Sequence, residues 1–167
     1  LLKIQTNKIE KKALLANKIE DMLNTVVRQI AFYEFEKKIH KSRQKSELSV
    51  DDICKIWIET QKESLGPSIK LDDQYKYFWT YIPHFIHSPF YVYAYAFGDC
   101  LVNSLYNVYQ NGLDDFQNKY TNLLKAGGSN SYKELLKPFN LDPSKPDFWY
   151  KGISMIDNFI NELEELK

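Results

Sequence analysis

Cysteine, glycine, proline and histidine are all scarce in this sequence, and each shortage excludes something. The two cysteines, Cys54 and Cys100, stand far apart with no Cys-x-x-Cys pair. That spacing suggests neither a redox dithiol nor a thiolate zinc site. Two buried free thiols in a reducing compartment are the expected state, with a disulfide left open. Six glycines and six prolines among 167 residues leave room for long regular elements. Charge of one sign is also missing, since 22 basic residues balance 22 acidic ones, so no overall field favours nucleic acid or an anionic membrane. No uninterrupted apolar run reaches the roughly 18 residues of a membrane span, and no signal-peptide succession opens the chain. The chain reads as soluble and cytoplasmic. Ala126-Gly-Gly-Ser129 lacks the lysine and the glycine spacing of a phosphate loop and reads as a helix cap.

What is present is an ordinary globular composition, 44% hydrophobic and 26% charged, far from that of a disordered chain. The length is that of one domain with a continuous core. The expected fold is all-α, a bundle of about six helices forming a single unit over residues 1–167. The first residue is leucine rather than methionine, and Leu-Leu-Lys-Ile has no capping residue before it. A piece of a longer protein is therefore expected, with an element upstream.

From about Asn7 to Lys45 neither glycine nor proline interrupts a helical pattern. Leu15, Ile19, Met22, Leu23, Val26, Ile30 and Tyr33 recur at spacings of three and four, predicting one core-facing stripe on one long helix or two nearly collinear ones. The basic end, Lys37 to Lys45 with His40, complements the helix dipole and is expected to be solvated. A second helix opens at Ser49 with Asp52 in a capping-box variant and stops at Gly66-Pro67. A short aromatic turn or helix follows at Tyr75 to Trp79. Further helices are expected from Pro89 to about Tyr109, Leu113 to Lys125, Ser131 to Lys137 and Pro146 to Leu166.

The stretch from Tyr81 to Gly98 concentrates the chemistry. It holds two of the three histidines, two of the six prolines and four of the twelve tyrosines. Each such group, if buried, needs a hydrogen-bond partner or costs roughly 1 to 3 kcal/mol. Ser88-Pro89 is a good helix start, which places His84 and His87 in the entry loop. Tyr91 and Tyr95, four apart, then share one face; Tyr93 points away, and Phe90, Ala94, Phe97, Leu101 and Leu105 form a separate apolar stripe. His84-x-x-His87 has no third His, Cys or clustered carboxylate nearby, so a metal site is not expected there. Imidazole and phenol donors could instead bind a carbonyl oxygen and the oxyanion it becomes. The alternative for each tyrosine is an aromatic core position with its hydroxyl bonded to backbone.

The run Ile82-Pro-His-Phe-Ile-His-Ser-Pro-Phe-Tyr-Val-Tyr-Ala-Tyr-Ala-Phe-Gly98 resembles the substrate-binding segment of the oligoendopeptidase F group, within the thimet-oligopeptidase-like zinc metallopeptidases. Thr25-Val-Val-Arg-Gln29 with Phe35-Glu-Lys-Lys-Ile-His40, Leu124-Lys-Ala-Gly-Gly-Ser129 and Pro146-Asp-Phe-Trp149 are similar to that family's C-terminal portion in the same order. The resemblance implies a zinc endopeptidase that cuts short peptides inside a closed helical channel. In that family His-Glu-x-x-His supplies two zinc ligands and the general base. A downstream glutamate completes that family's ligands; this sequence has no such motif, and its first residues resemble the stretch just after that third ligand.

The resemblance thus implies zinc in the full-length protein and none in this segment, which by itself should not hydrolyse peptides. It implies an oligopeptide substrate and, as partner, the N-terminal remainder of the same protein. Residue by residue, His84 and Tyr95 are the implied catalytic donors, and Tyr91 and His87 the implied substrate-binding residues. A third tyrosine-like position of thimet-type relatives would fall near Gly98, where this chain departs, and Tyr93 is the expected structural tyrosine. The alternative to a peptidase segment is a helical module that binds a peptide or partner without chemistry. An upstream His-Glu-x-x-His in frame would distinguish the two.

Overall fold

The computed structural model describes residues 7–166. The opening Leu-Leu-Lys-Ile, and with it the expectation of an element upstream, lies outside the described residues. Eight α-helices occur among the described residues, and no strand: α1 Lys8–Thr25, α2 Val27–Arg43, α3 Val50–Leu65, α4 His84–His87, α5 Tyr93–Gln110, α6 Phe116–Ala126, α7 Tyr132–Leu136 and α8 Pro146–Glu165. Two 3₁₀ segments, Asp73–Tyr81 and Lys137–Phe139, complete the order. The all-α expectation holds, with more and shorter helices than six.

The caps follow local chemistry. Ser49 and Asp52 form both halves of the capping box at the start of α3, the serine accepting from the Asp52 amide and the aspartate from the Ser49 amide. The Ser49 hydroxyl, donating to Asp52 Oδ2 at 2.6 Å, and the Ser49 amide, donating to the same oxygen at 2.9 Å, hold the Asp52 carboxyl below the usual carboxylate range. The Ser131 hydroxyl accepts from the Glu134 amide at the start of α7. Gly127 ends α6 with φ +51°, a backbone state that favours glycine.

Two compact units emerge, and the division falls inside α1 and α5. One unit is the stretch Leu23–Phe97; the other gathers the chain up to Met22 and from Gly98 onward.

The Leu23–Phe97 unit is built on aromatic rings. Phe32, Phe35, Trp57, Ile82 and Val92 form its buried cluster, with Phe85, Tyr75 and Trp79 packed against it. Trp57 is fully buried, lies 5.1 Å edge-on to Phe35, and donates its indole N–H to the Tyr75 carbonyl at 3.0 Å. Burying an indole of about 200 Å² at ~25 cal/mol/Å² contributes up to about 5 kcal/mol. The expected stripe is corrected here. α1 stops at Thr25 and α2 restarts at Val27, and the break re-phases the face. Leu15, Ile19, Met22 and Val26 are buried, but Leu23 and Ile30 are each 40% exposed, and Ala31, Phe32, Phe35 and Glu36 point inward instead.

The flanking unit relies on close approach of small residues. Along α5 in this unit the buried residues are Cys100, Ser104 and Leu105, while Leu101 of the expected stripe is only half-buried; in the other unit Ala96 is buried and Ala94 and Phe97 are half-buried. The physical reason at Cys100 and Ser104 is contact with α8. A Cβ at Gly152 would lie 2.8 Å from Cys100 Cα, so the helices meet where neither carries bulk. Ser104 Oγ donates to the Phe148 carbonyl at 2.9 Å, and Lys11 pairs with Glu162 at 2.7 Å. Both cysteines are buried free thiols. Burial, followed by the nearby Asp99 charge, pushes the Cys100 thiol up to about 11, which leaves it unreactive near neutrality. α6 begins at Phe116 rather than Leu113, because Asp115 takes a left-handed φ of +56° that a helix cannot contain.

Candidate functional site

The predicted helix start at Pro89 is corrected by the backbone. Phe90 has φ +60°, a state that costs a non-glycine residue about 1 to 3 kcal/mol and that breaks any helix begun at Pro89. Ser88, Pro89 and Phe90 instead form a turn closed by the Tyr91 amide donating to the Ser88 carbonyl at 3.1 Å, and α5 begins at Tyr93. The helix-initiating proline is Pro83, whose carbonyl accepts from the His87 amide at 2.9 Å. His84 and His87 therefore stand on the single turn of α4, not in a loop.

Each residue of the central cluster follows or precedes a core anchor. Phe85 packs 5.0 Å from Phe35 and 5.6 Å from Phe32, which fixes α4 and turns the preceding His84 outward. Val92 and Ala96 are buried and do the same for Tyr91 and Tyr95. The outcome is a compact group. His84 Nε2 and the Tyr95 hydroxyl share a hydrogen bond of 3.0 Å. The His84 and Tyr91 rings lie nearly parallel, 5° apart in plane with centroids at 6.3 Å, and Tyr91 meets Tyr95 edge-on at 5.6 Å. Tyr91 is 53% exposed and Tyr95 39%, so both phenols face solvent while their backbones are held.

His87 is exposed, and no hydrogen bond or ring contact joins it to this group. Tyr93 is also exposed, its ring 6.3 Å from Tyr33 and apart from the other two phenols. His40 is exposed as expected, but its ring sits 4.6 Å from Phe90. Among the described residues no three His, Cys, Asp or Glu side chains stand together that could hold a metal ion. No described helix is long and apolar enough to cross a membrane.

One residue tied to the site escaped the sequence reading. Glu36 on α2 is 2% exposed, and its Oε1 accepts from the Phe90 amide at 2.8 Å across 54 residues of chain. The available signal was its place four residues after Phe32 and next to Phe35, a charge set among apolar rings. A separate groove of about 600 Å³ is lined by Val102, Leu105, Tyr106, Tyr109, Phe116 and Tyr120 among others. It contains phenols but no imidazole, and the donor chemistry lies with His84.

Comparison with known proteins bears directly on this geometry. The model of peptidase family M3 matches residues 1–155. The chain belongs to peptidase family M3. Within it, the chain is 34% identical over 172 residues to the oligoendopeptidase F homolog of Borreliella burgdorferi, covering 100% of this chain and 28% of that protein. It is 30% identical over 167 residues to the plasmid oligoendopeptidase F of Lactococcus lactis subsp. cremoris, again 28% of that protein. The crystal structure of oligoendopeptidase-F from Enterococcus faecium superposes with a TM-score of 0.91 at 27% identity, covering 99% of this chain and 32% of that one. This M3 chain thus spans less than a third of the length of the relatives it matches, and it corresponds to a portion of an oligoendopeptidase F.

Proposed function

We propose that this M3 chain is the C-terminal, substrate-holding part of a zinc-dependent oligoendopeptidase that hydrolyses short peptides in the cytoplasm. The zinc would be held by the N-terminal remainder of the protein, where such an ion activates the attacking water. This segment by itself would be inactive.

The observation that carries the reading is the 3.0 Å hydrogen bond between His84 and Tyr95 beside an open Tyr91, in a chain similar to oligoendopeptidases. With the proton on Nε2, His84 donates to the Tyr95 oxygen. The phenolic O–H is then left free to donate outward to a scissile carbonyl and to the oxyanion that forms from it. Such a donor strengthens its bond as charge develops and so favours the transition state over the ground state. Tyr91 and, one helical turn from His84, His87 would hold the peptide backbone.

The test uses the full-length protein and an internally quenched short peptide. Tyr95→Phe and His84→Ala should each lower turnover by about 10² or more with zinc content intact. Wild-type activity in both would remove these residues from the reaction, and loss of zinc would make His84 a ligand instead. Peptide binding without cleavage by the full-length protein would favour a binding module.

A further inference from the structure

We propose that Glu36 is the positioning residue of this site: its buried carboxyl group clamps the Phe90 backbone in the left-handed turn that sets Tyr91 against His84. The inference rests on the reading of His84, Tyr91 and Tyr95 as the substrate-holding group.

The argument begins with two features that are each unfavourable alone. A carboxyl group on a buried helix face is costly unless it is satisfied, yet Glu36 stands at 2% exposure beside Phe32 and Phe35. Its Oε2 finds no hydrogen-bond partner among the described residues. An apolar side chain would fill the same space at no such cost. Phe90 adopts φ +60°, a state that persists only where the surroundings over-determine it.

The two features meet in one bond, the Phe90 amide to Glu36 Oε1 at 2.8 Å. Phe90 is also gripped by its ring, 6.4 Å from Tyr33 and 4.6 Å from His40, so α2 holds both its backbone and its side chain. Pro89 has no N–H to offer, which leaves the Phe90 amide as the donor through which this turn is tied to α2. Tyr91 is the next residue. Its placement over His84 therefore depends on the direction in which the chain leaves Phe90. His84 sits on α4, before that turn, and Tyr95 lies inside α5, five residues beyond Phe90 and next to the buried Ala96, whereas Tyr91 stands between the turn and the helix.

Loss of the clamp should accordingly act through Tyr91 alone, on substrate binding rather than on the chemical step. In the full-length zinc-loaded enzyme, assayed with an internally quenched peptide, Glu36→Ala is expected to raise KM roughly tenfold with kcat within about twofold. Glu36→Gln keeps an acceptor oxygen and should stay within about twofold in both. Tyr91→Ala should raise KM likewise, and the Glu36→Ala/Tyr91→Ala double variant should be no worse than Tyr91→Ala. A general loosening of the fold would make the two effects multiply. A crystal structure of the Glu36→Ala protein should show Phe90 outside the left-handed region and the Tyr91 ring off His84. Should Glu36→Ala fail to fold, Glu36→Asp, one methylene too short to reach the amide, takes its place with the same expectations.

Unchanged KM, multiplying effects, or Phe90 still left-handed with Tyr91 on His84 would each overturn the proposal. The crystallographic result decides whether or not the protein cleaves peptides, so failure of the clamp and failure of the peptidase reading give different outcomes.

Discussion

The stretch Leu23–Phe97 and the flanking unit solve the same packing problem with opposite means. The first packs large rings, with Phe32, Phe35, Trp57 and Phe85 meeting at tilted and edge-on angles. The second brings helices together where Gly152 meets Cys100 and Ser104 meets the Phe148 carbonyl. Rings leave more freedom in which residues point outward, because a few large anchors such as Phe85 and Val92 fix the backbone while their neighbours face solvent. The unit held by rings is also the one with an open group of imidazole and phenols and with the strained Phe90. Close approach leaves no such latitude at Gly152, where even one added carbon would meet Cys100 at 2.8 Å.

The largest test of that contrast removes a ring. Trp57→Ala should destabilise the protein by about 3 to 5 kcal/mol, read from the denaturant midpoint at constant slope. A cost below about 1 kcal/mol would mean that the rings are not what holds the Leu23–Phe97 unit together.

A smaller effect is expected from adding a single methyl group to the other unit. Gly152→Ala in an ordinary helix interior would gain up to about 1 kcal/mol from propensity. Against Cys100 Cα at 2.8 Å the helix must move, and a net loss of roughly 1 to 3 kcal/mol is expected. Thermal unfolding decides the sign, and a stabilised variant would end the close-approach account.

The smallest effect is a pH dependence. Burial raises the Cys100 thiol from its ordinary 9.0 to about 11, so the folded state holds this proton more tightly than the unfolded one. The contribution is fully present below about pH 9 and is lost as pH rises from 9 through 11. The fall in urea midpoint over that window should be shallower in Cys100→Ala than in the parent. Equal slopes would show that the thiol is not buried as described.

Much of the fold was legible because its causes are local. Ser49 with Asp52, Gly127 after α6 and Pro146 opening α8 act over one turn, and each can be read from a few residues. The errors fall where a distant contact overrides a local preference. Ser88-Pro89 is a sound helix start in isolation, and it fails because Glu36, 54 residues away, holds the next residue left-handed. The stripe past Val26 fails because the break between α1 and α2, at a Val26 with φ −101° and ψ −67°, turns the face of everything after it.

By itself the sequence determined the all-α class, most helix boundaries, the M3 resemblance and the set from which the site is drawn, since periodicity, capping and motif are properties of neighbouring residues. Only the tertiary structure decided that His84 shares a hydrogen bond with Tyr95, that Tyr91 lies over His84, that His87 stands apart from them, and that Glu36 belongs with them. Those relations arise from packing across α2, α4 and α5, where buried rings and one buried carboxyl group set directions that no local spacing encodes.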